Sequence, residues 1–170
     1  MRHHPFPIVI ALGSNLGPGP ETLTMACRLL ERAGVGVKAR SRIYRSRPWG
    51  VTDQPVFYNA AISVKSGLHP RALLDRCLNV EGQLGRRRRE CWGPRRLDLD
   101  LILYGNARIE QPGLQLPHPH VAKRDFVLVP MIDLGIPPLA AIAPRGWGAL
   151  LHALPAAERT LVHAMPWSLP

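Results

Sequence analysis

The amino-acid sequence predicts an α/β (α+β) fold, a ferredoxin-like α/β sandwich whose mainly antiparallel sheet carries packed helices. Three observations predict it. Two segments place apolar residues at helical spacing and close on a glycine: Leu23, Ala26, Leu30 and Ala33 before Gly34, and Leu73, Leu74, Cys77, Leu78 and Leu84 before Gly85. Period-two segments precede, separate and follow them. The resulting order β-α-β-β-α-β is the split unit that lays two helices on one face of an antiparallel sheet. At 170 residues and 46% hydrophobic content, the chain suits one domain over residues 1–170 with a substantial core.

The first strand is "PIVIALGSN", a short apolar run ending in turn chemistry. After "GPGP" comes the first helix. From Val35 the period falls to two, with Val35, Val37, Ala39 and Ile43 on one face and Lys38, Arg40, Arg42 and Tyr44 on the other. The Pro, Gly and Asp of "SRPWGVTDQP" mark a loop. "VFYNAAISVKS" alternates again, so Val56, Tyr58, Ala60, Ile62 and Val64 share a face opposite Phe57, Asn59, Ala61 and Ser63. The second helix starts near His69. The basic loop "RRRRECWGPR" leads into "LDLDLILYG", where Leu97, Leu99, Leu101 and Leu103 alternate with Asp98, Asp100 and Ile102. A weaker strand holds Leu114 and Leu116, and "RDFVLVPMIDLG" packs Phe126, Leu128 and Met131. The tail, about 145–170, is rich in Gly, Ala and Pro and shows one short helical stretch, Trp147 to Ala153.

If both helices cover the apolar face, then Phe57, Asn59, Asp98 and Asp100 share the other face. An aromatic ring, an amide and two carboxylates there make a site. Asp98 and Asp100 lie two residues apart, roughly 6–7 Å along a strand, a spacing that suits hard cations such as Mg²⁺. Alone, a DxD in a half-buried strand reads as ordinary polarity paired with Arg95 or Arg96. Its neighbours change that reading. Arg86, Arg87, Arg88, Arg89, Arg95 and Arg96 are always-charged forks that match phosphate oxygens. His118 and Arg124 fit further phosphate contacts, whereas the His118/His120 pair offers too few ligands at a recognisable spacing for zinc.

A net charge of +10 predicts an anionic partner. An odd count of three cysteines, Cys27, Cys77 and Cys91, without CxxC spacing fits a reducing cytosol better than a disulfide framework. The apolar run after Pro7 is too short for a signal-peptide core, and no window is long enough to span a bilayer. The sequence therefore predicts a cytoplasmic protein. It carries no GxxxxGK[ST], GxGxxG or GxSxG signature, so nucleotide chemistry here needs another scaffold.

"ALGSNLG", "DQPVFYNAA", the spaced arginines before "WGPRRLDLDLILYG", and "LPHPHVAKRDFVLVPM" together resemble the 6-hydroxymethyl-7,8-dihydropterin pyrophosphokinases of folate biosynthesis, over about residues 8–144. The resemblance implies transfer of diphosphate from ATP to the pterin hydroxymethyl group, with release of AMP. It implies Asp98 and Asp100 as ligands of two Mg²⁺ ions. It implies Asn59 as the pterin's amide contact, Phe57 and Phe126 as the rings on either side of it, and backbone groups around Ser46 and Trp49 completing that pocket. Arg88, Trp92, Arg95, His118 and Arg124 then contact the nucleotide, with Arg86 and Arg95 acting on the transferred phosphates. Phe57 stands where relatives often carry Tyr, and Gly113 and Gln115 where some place nucleotide-contacting side chains.

The implied partners are ATP and the reduced pterin, not nucleic acid or membrane, and the expected state is a monomer or at most a weak dimer. Two alternatives compete: a ferredoxin-like RNA-binding module, favoured by the charge and element order, and a pterin-binding relative with weak catalysis. RNA modules of this fold present several aromatics and no acids on the sheet face. Here Phe57 is alone and the DxD opposes it.

Overall fold

The computed structural model describes residues 7–48, 52–85 and 94–167. Strand β1 (Ile8–Ser14) leads into helix α1 (Gly19–Arg32), then come β2 (Gly36–Arg40), β3 (Ile43–Ser46), β4 (Phe57–Lys65) and helix α2 (Pro70–Gln83). Strand β5 (Asp98–Tyr104) and the hairpin β6 (Ile109–Gln111) and β7 (Leu114–Leu116) follow, then α3 (Asp125–Asp133), α4 (Trp147–Ala153) and β8 (Leu161–Met165). Proline in the first turn starts both α1 and α2, where its missing N–H costs nothing. Gly34 and Gly85, at φ +82° and +81°, end them in the left-handed region that glycine adopts freely. Gly19 has a different reason to be glycine: a Cβ there would lie 2.2 Å from the Tyr58 ring.

The main sheet runs β5-β1-β4-β3-β8, with β2 also paired to β4, and every pairing is antiparallel. β1, β2/β3, β4 and β5 with α1 and α2 are the predicted sandwich. Ile10, Leu12, Ala60, Ile62, Leu99 and Leu101 meet Leu23, Leu30, Leu73 and Cys77 from the two helices in one core. The alternation of "VFYNAAISVKS" and "LDLDL" is thus the alternation between faces that the sequence predicts.

Four features depart from that reading. The opposite face is not left bare: Val9, Ala61, Ile102 and Leu103 form a second core with Leu128 and Met131 of α3 and Trp147 of α4. Leu103 changes face because β5 bulges. Ile10 pairs Leu101 and Val9 pairs Leu103, so Ile102 is the extra residue. The strand predicted from Val35 breaks at Ser41, whose hydroxyl accepts the Ala61 N–H at 2.9 Å in place of a backbone carbonyl. With a further register shift between Val37 and Ala39, Ala39 is exposed and Tyr44 is buried, the reverse of the predicted faces. Finally, the tail forms the predicted helix at Trp147–Ala153 and also supplies β8, an unpredicted sixth strand of the sheet.

Candidate active site

The register of three strands builds the site floor. Gly13 of β1 pairs with Asn59 of β4 on one side and Asp98 of β5 on the other, and Ala11 pairs with Ala61 and Asp100. Asn59, Gly13 and Asp98 therefore sit in a row across the face that α3 covers farther along. Two inter-strand spacings separate the amide from the first carboxylate, roughly 10 Å. Gly13 keeps the row open: a Cβ there would stand 3.3 Å from Asn59 Oδ1.

A cleft of about 320 Å³ lies over this floor. Its walls are Ser46 and Arg47 at the end of β3, Phe57 at the start of β4, and Arg124, Phe126 and Val127 at the start of α3. Arg95 and His118 complete it. The structure thus brings Ser46, Phe57, Asn59, Arg95, Asp98, Asp100, His118, Arg124 and Phe126 to one cavity. The predicted site residues Trp49, Arg86, Arg88 and Trp92 lie outside the described residues.

Asn59, only 6% exposed, donates through Nδ2 to Ser46 Oγ at 2.8 Å. That bond fixes the amide's orientation and makes the Ser46 side chain part of the site, beyond the backbone contact expected of it. Arg95 donates to Asp98 Oδ2 at 2.7 Å, and an Arg124 nitrogen lies 3.8 Å from Asp100 Oδ2. Arg124 also lies 5.6 Å from the centre of the Phe126 ring, within cation–π range. Burial lowers the Arg124 pKa, while Asp100 and Asp98 oppose that shift. The guanidinium remains charged, as arginine does in proteins.

His118 comes from the segment after β7. Its backbone N–H donates at 2.9 Å to the carbonyl of Ile102, the bulged residue of β5. Burial pushes its imidazole down to about 4, with Arg124 and His120 adding to the shift and Asp98 opposing it. The ring is therefore neutral at pH 7. Its Nδ1 accepts the His120 N–H at 3.1 Å, which leaves the ring proton on Nε2 as a donor.

Asn15 was not singled out by the sequence, which shows "GSNLG" only as turn chemistry. Its Oδ1 accepts the Arg95 N–H at 2.8 Å, its own N–H donates to the Arg95 carbonyl at 3.1 Å, and Nδ2 donates to Gln54 Oε1 and the Pro55 carbonyl at 3.0 and 3.2 Å. One side chain joins the segments that precede β4 and β5. The partners are 39 to 80 residues away in sequence, and no local pattern reveals them.

Asp98 and Asp100 are partly open, with side chains 21% and 37% exposed. Two carboxylates on one face form an all-oxygen donor set. That set fits Mg²⁺, which takes one or two carboxylates and completes its shell with water and phosphate oxygens.

Comparison with known proteins gives the same direction. The family model for 7,8-dihydro-6-hydroxymethylpterin-pyrophosphokinase (HPPK) matches residues 9–136. A 2-amino-4-hydroxy-6-hydroxymethyldihydropteridine pyrophosphokinase of Methylorubrum extorquens is 44% identical over 126 residues, covering 74% of this chain and 80% of that protein. The Bacillus subtilis protein of the same name is 42% identical over 126 residues, covering 74% and 75%. A mitochondrial folate synthesis bifunctional protein of Arabidopsis thaliana is 42% identical over 127 residues, 75% of this chain but 23% of that longer protein. With its sheet register, its cleft and these matches in agreement, the chain belongs to the 7,8-dihydro-6-hydroxymethylpterin-pyrophosphokinase family.

Proposed function

We propose that the cleft between β3, β5 and α3 is where this chain carries out its family's reaction, with Asp98 and Asp100 holding two magnesium ions. The activity is ATP-dependent pyrophosphoryl transfer to hydroxymethyldihydropterin, in folate biosynthesis. Moving the two terminal phosphates together leaves AMP. The observation that carries the assignment is the row Asn59–Gly13–Asp98, which sets a heterocycle-reading amide and a metal-binding carboxylate on one floor.

In this reading Phe57 and Phe126 take the pterin between their rings, and Asn59, held by Ser46, reads its polar edge. Trp49 completes that pocket. Bound magnesium would polarise phosphate oxygens and the pterin hydroxymethyl oxygen. Arg88, Trp92, His118 and Arg124 position the nucleotide, and Arg86 and Arg95 neutralise charge as AMP leaves. His118 donates from Nε2 without adding a charge, so it orients a phosphate without holding the product back. Phosphoryl transfer needs this positioning and neutralisation more than it needs covalent help.

The expected state is a cytoplasmic monomer acting on small molecules. The +10 charge keeps copies apart and attracts ATP. Among the described residues no helix is long and apolar enough to cross a membrane, and Cys27 and Cys77 are buried free thiols.

The test is to supply ATP, Mg²⁺ and the reduced pterin and identify the nucleotide product. AMP is expected, and ADP would overturn diphosphate transfer. Asp98→Ala and Asp100→Ala should each lower kcat/KM by about 100-fold or more, the scale of losing a transition-state charge contact. Activity near that of the unsubstituted protein in either variant would remove that residue from the metal site.

A further inference from the structure

The tail strand lies beyond the residues matched by the family model, 9–136, yet it is bonded to two walls of the cleft. Asp125 is the first residue of α3, between Arg124 and Phe126, and is 3% exposed. Both of its carboxylate oxygens are engaged by the tail. Oδ2 accepts the N–H groups of Thr160 and Leu161 at 2.5 and 2.9 Å, and Oδ1 accepts the Thr160 hydroxyl at 2.7 Å. The opposite wall is tied to the same few residues. The Arg47 N–H donates to the Thr160 carbonyl at 2.9 Å, its guanidinium donates to the Arg159 carbonyl at 3.0 Å, and Ser46 pairs with Leu161. Arg159 in turn donates to the carbonyls of His152 and Leu154, at the end of α4. Residues 159–161 therefore form a buckle joining the α3 wall, which carries Phe126, to the β3 wall, which carries Ser46.

We propose that Asp125 and Thr160 are positioning residues for the pterin half of the site, setting the distance between the Phe126 ring and the Ser46–Asn59 pair. The physical reason is the cost of the alternative. A carboxylate this deeply buried must keep its donors, because an unmade bond to a buried charge is expensive. Asp125 thus holds the first turn of α3 against the tail, and Phe126 moves only if that turn moves. The nucleotide half leans less on that turn: Arg95 is held by Asp98, and Arg124, which precedes α3, also has Asp100 beside it. Loosening the buckle should consequently weaken pterin binding far more than ATP binding. This inference rests on the proposed reading of the cleft as the pterin site.

The experiment uses the full chain and titration calorimetry with two probes: a non-transferable ATP analogue with Mg²⁺, and 6-hydroxymethyl-7,8-dihydropterin added to the analogue-loaded protein. Thr160→Val keeps the shape of the side chain and removes one donor from Asp125. It is expected to raise the pterin Kd about tenfold, the effect of one charge-assisted hydrogen bond, with the analogue Kd within about twofold and Thr160→Ser restoring the pterin Kd. Asp125→Asn keeps one accepting oxygen for the two N–H groups but removes the charge that strengthens both bonds, and should show the same split to a smaller degree. An unchanged pterin Kd in both variants, or pterin and analogue affinity falling together, would overturn the positioning role while leaving the cleft assignment standing. Failure of the unsubstituted protein to bind the pterin would overturn both.

Discussion

His118 shows how one residue's surroundings set its chemistry. Its ordinary pKa of 6.5 falls to about 4, chiefly through burial and then through Arg124 and His120. The unfolded chain therefore takes up a proton near pH 6.5 that the folded chain refuses until near pH 4. The stability linked to this histidine is fully present above pH 6.5 and is lost as pH falls toward 4. Each pH unit between the two values is worth about 1.4 kcal/mol, and partial solvent contact reduces the sum to the order of 2 kcal/mol. Urea midpoints should fall between pH 7.5 and 5 for the unsubstituted protein. His118→Gln should flatten that fall, and an unaltered slope would assign the acid sensitivity elsewhere. Of the residues in the cleft, His118, Asp98 and Asn59 are legible in sequence through the residues around them, since the aspartates alone read as ordinary strand polarity. Gly13 in the cleft floor and Asn15 behind it are not: their roles consist of a 3.3 Å approach to Asn59 and of hydrogen bonds to distant segments.

At the scale of elements, α2 shows what apolar periodicity misses. The stripe Leu73, Cys77 is buried as its spacing predicts, but so are Val80 and Glu81, the latter at 1% exposure. Glu81 accepts the Leu99 N–H at 2.7 Å, and Leu99 belongs to β5, the last strand on its side of the sheet. An edge strand has N–H groups with no strand to bond, and a carboxylate from the covering helix takes one of them. A reader of periodicity counts Glu81 as solvent-facing because nothing local marks it as an acceptor. Glu81→Ala should lower stability by about 2–3 kcal/mol, the cost of a buried donor left without its charged acceptor. Glu81→Gln, which keeps an acceptor, should cost less. Equal urea midpoints for the two variants would contradict this account. The break at Ser41 has the same origin, since a hydroxyl replacing a carbonyl in a ladder leaves no periodic signature.

For the whole molecule the main consequence of the structure is a sheet covered on both faces, by α1 and α2 on one and by α3 and α4 on the other. The first layer holds both described thiols. Burial raises Cys27 to about 11 and Cys77 to about 12, so neither forms the reactive thiolate near neutrality. In a Cys91→Ser protein at pH 8, a thiol reagent should label these two cysteines only as fast as the chain unfolds globally. Labelling that outpaces unfolding would show that the α1/α2 layer opens locally.

The sequence by itself determined the alternation of strands and helices, the face on which Asn59, Asp98 and Asp100 stand, and the family to which the chain belongs. These follow from periods of two and 3.6 residues and from motifs contained in short segments. Only the tertiary structure decided that the second face is closed by α3 and α4, that β5 bulges at Ile102 to anchor His118, and that the tail returns as β8 to hold Asp125. Those features depend on partners 16 or more residues apart, and a hydrogen bond between distant segments leaves no trace in the local order of residues.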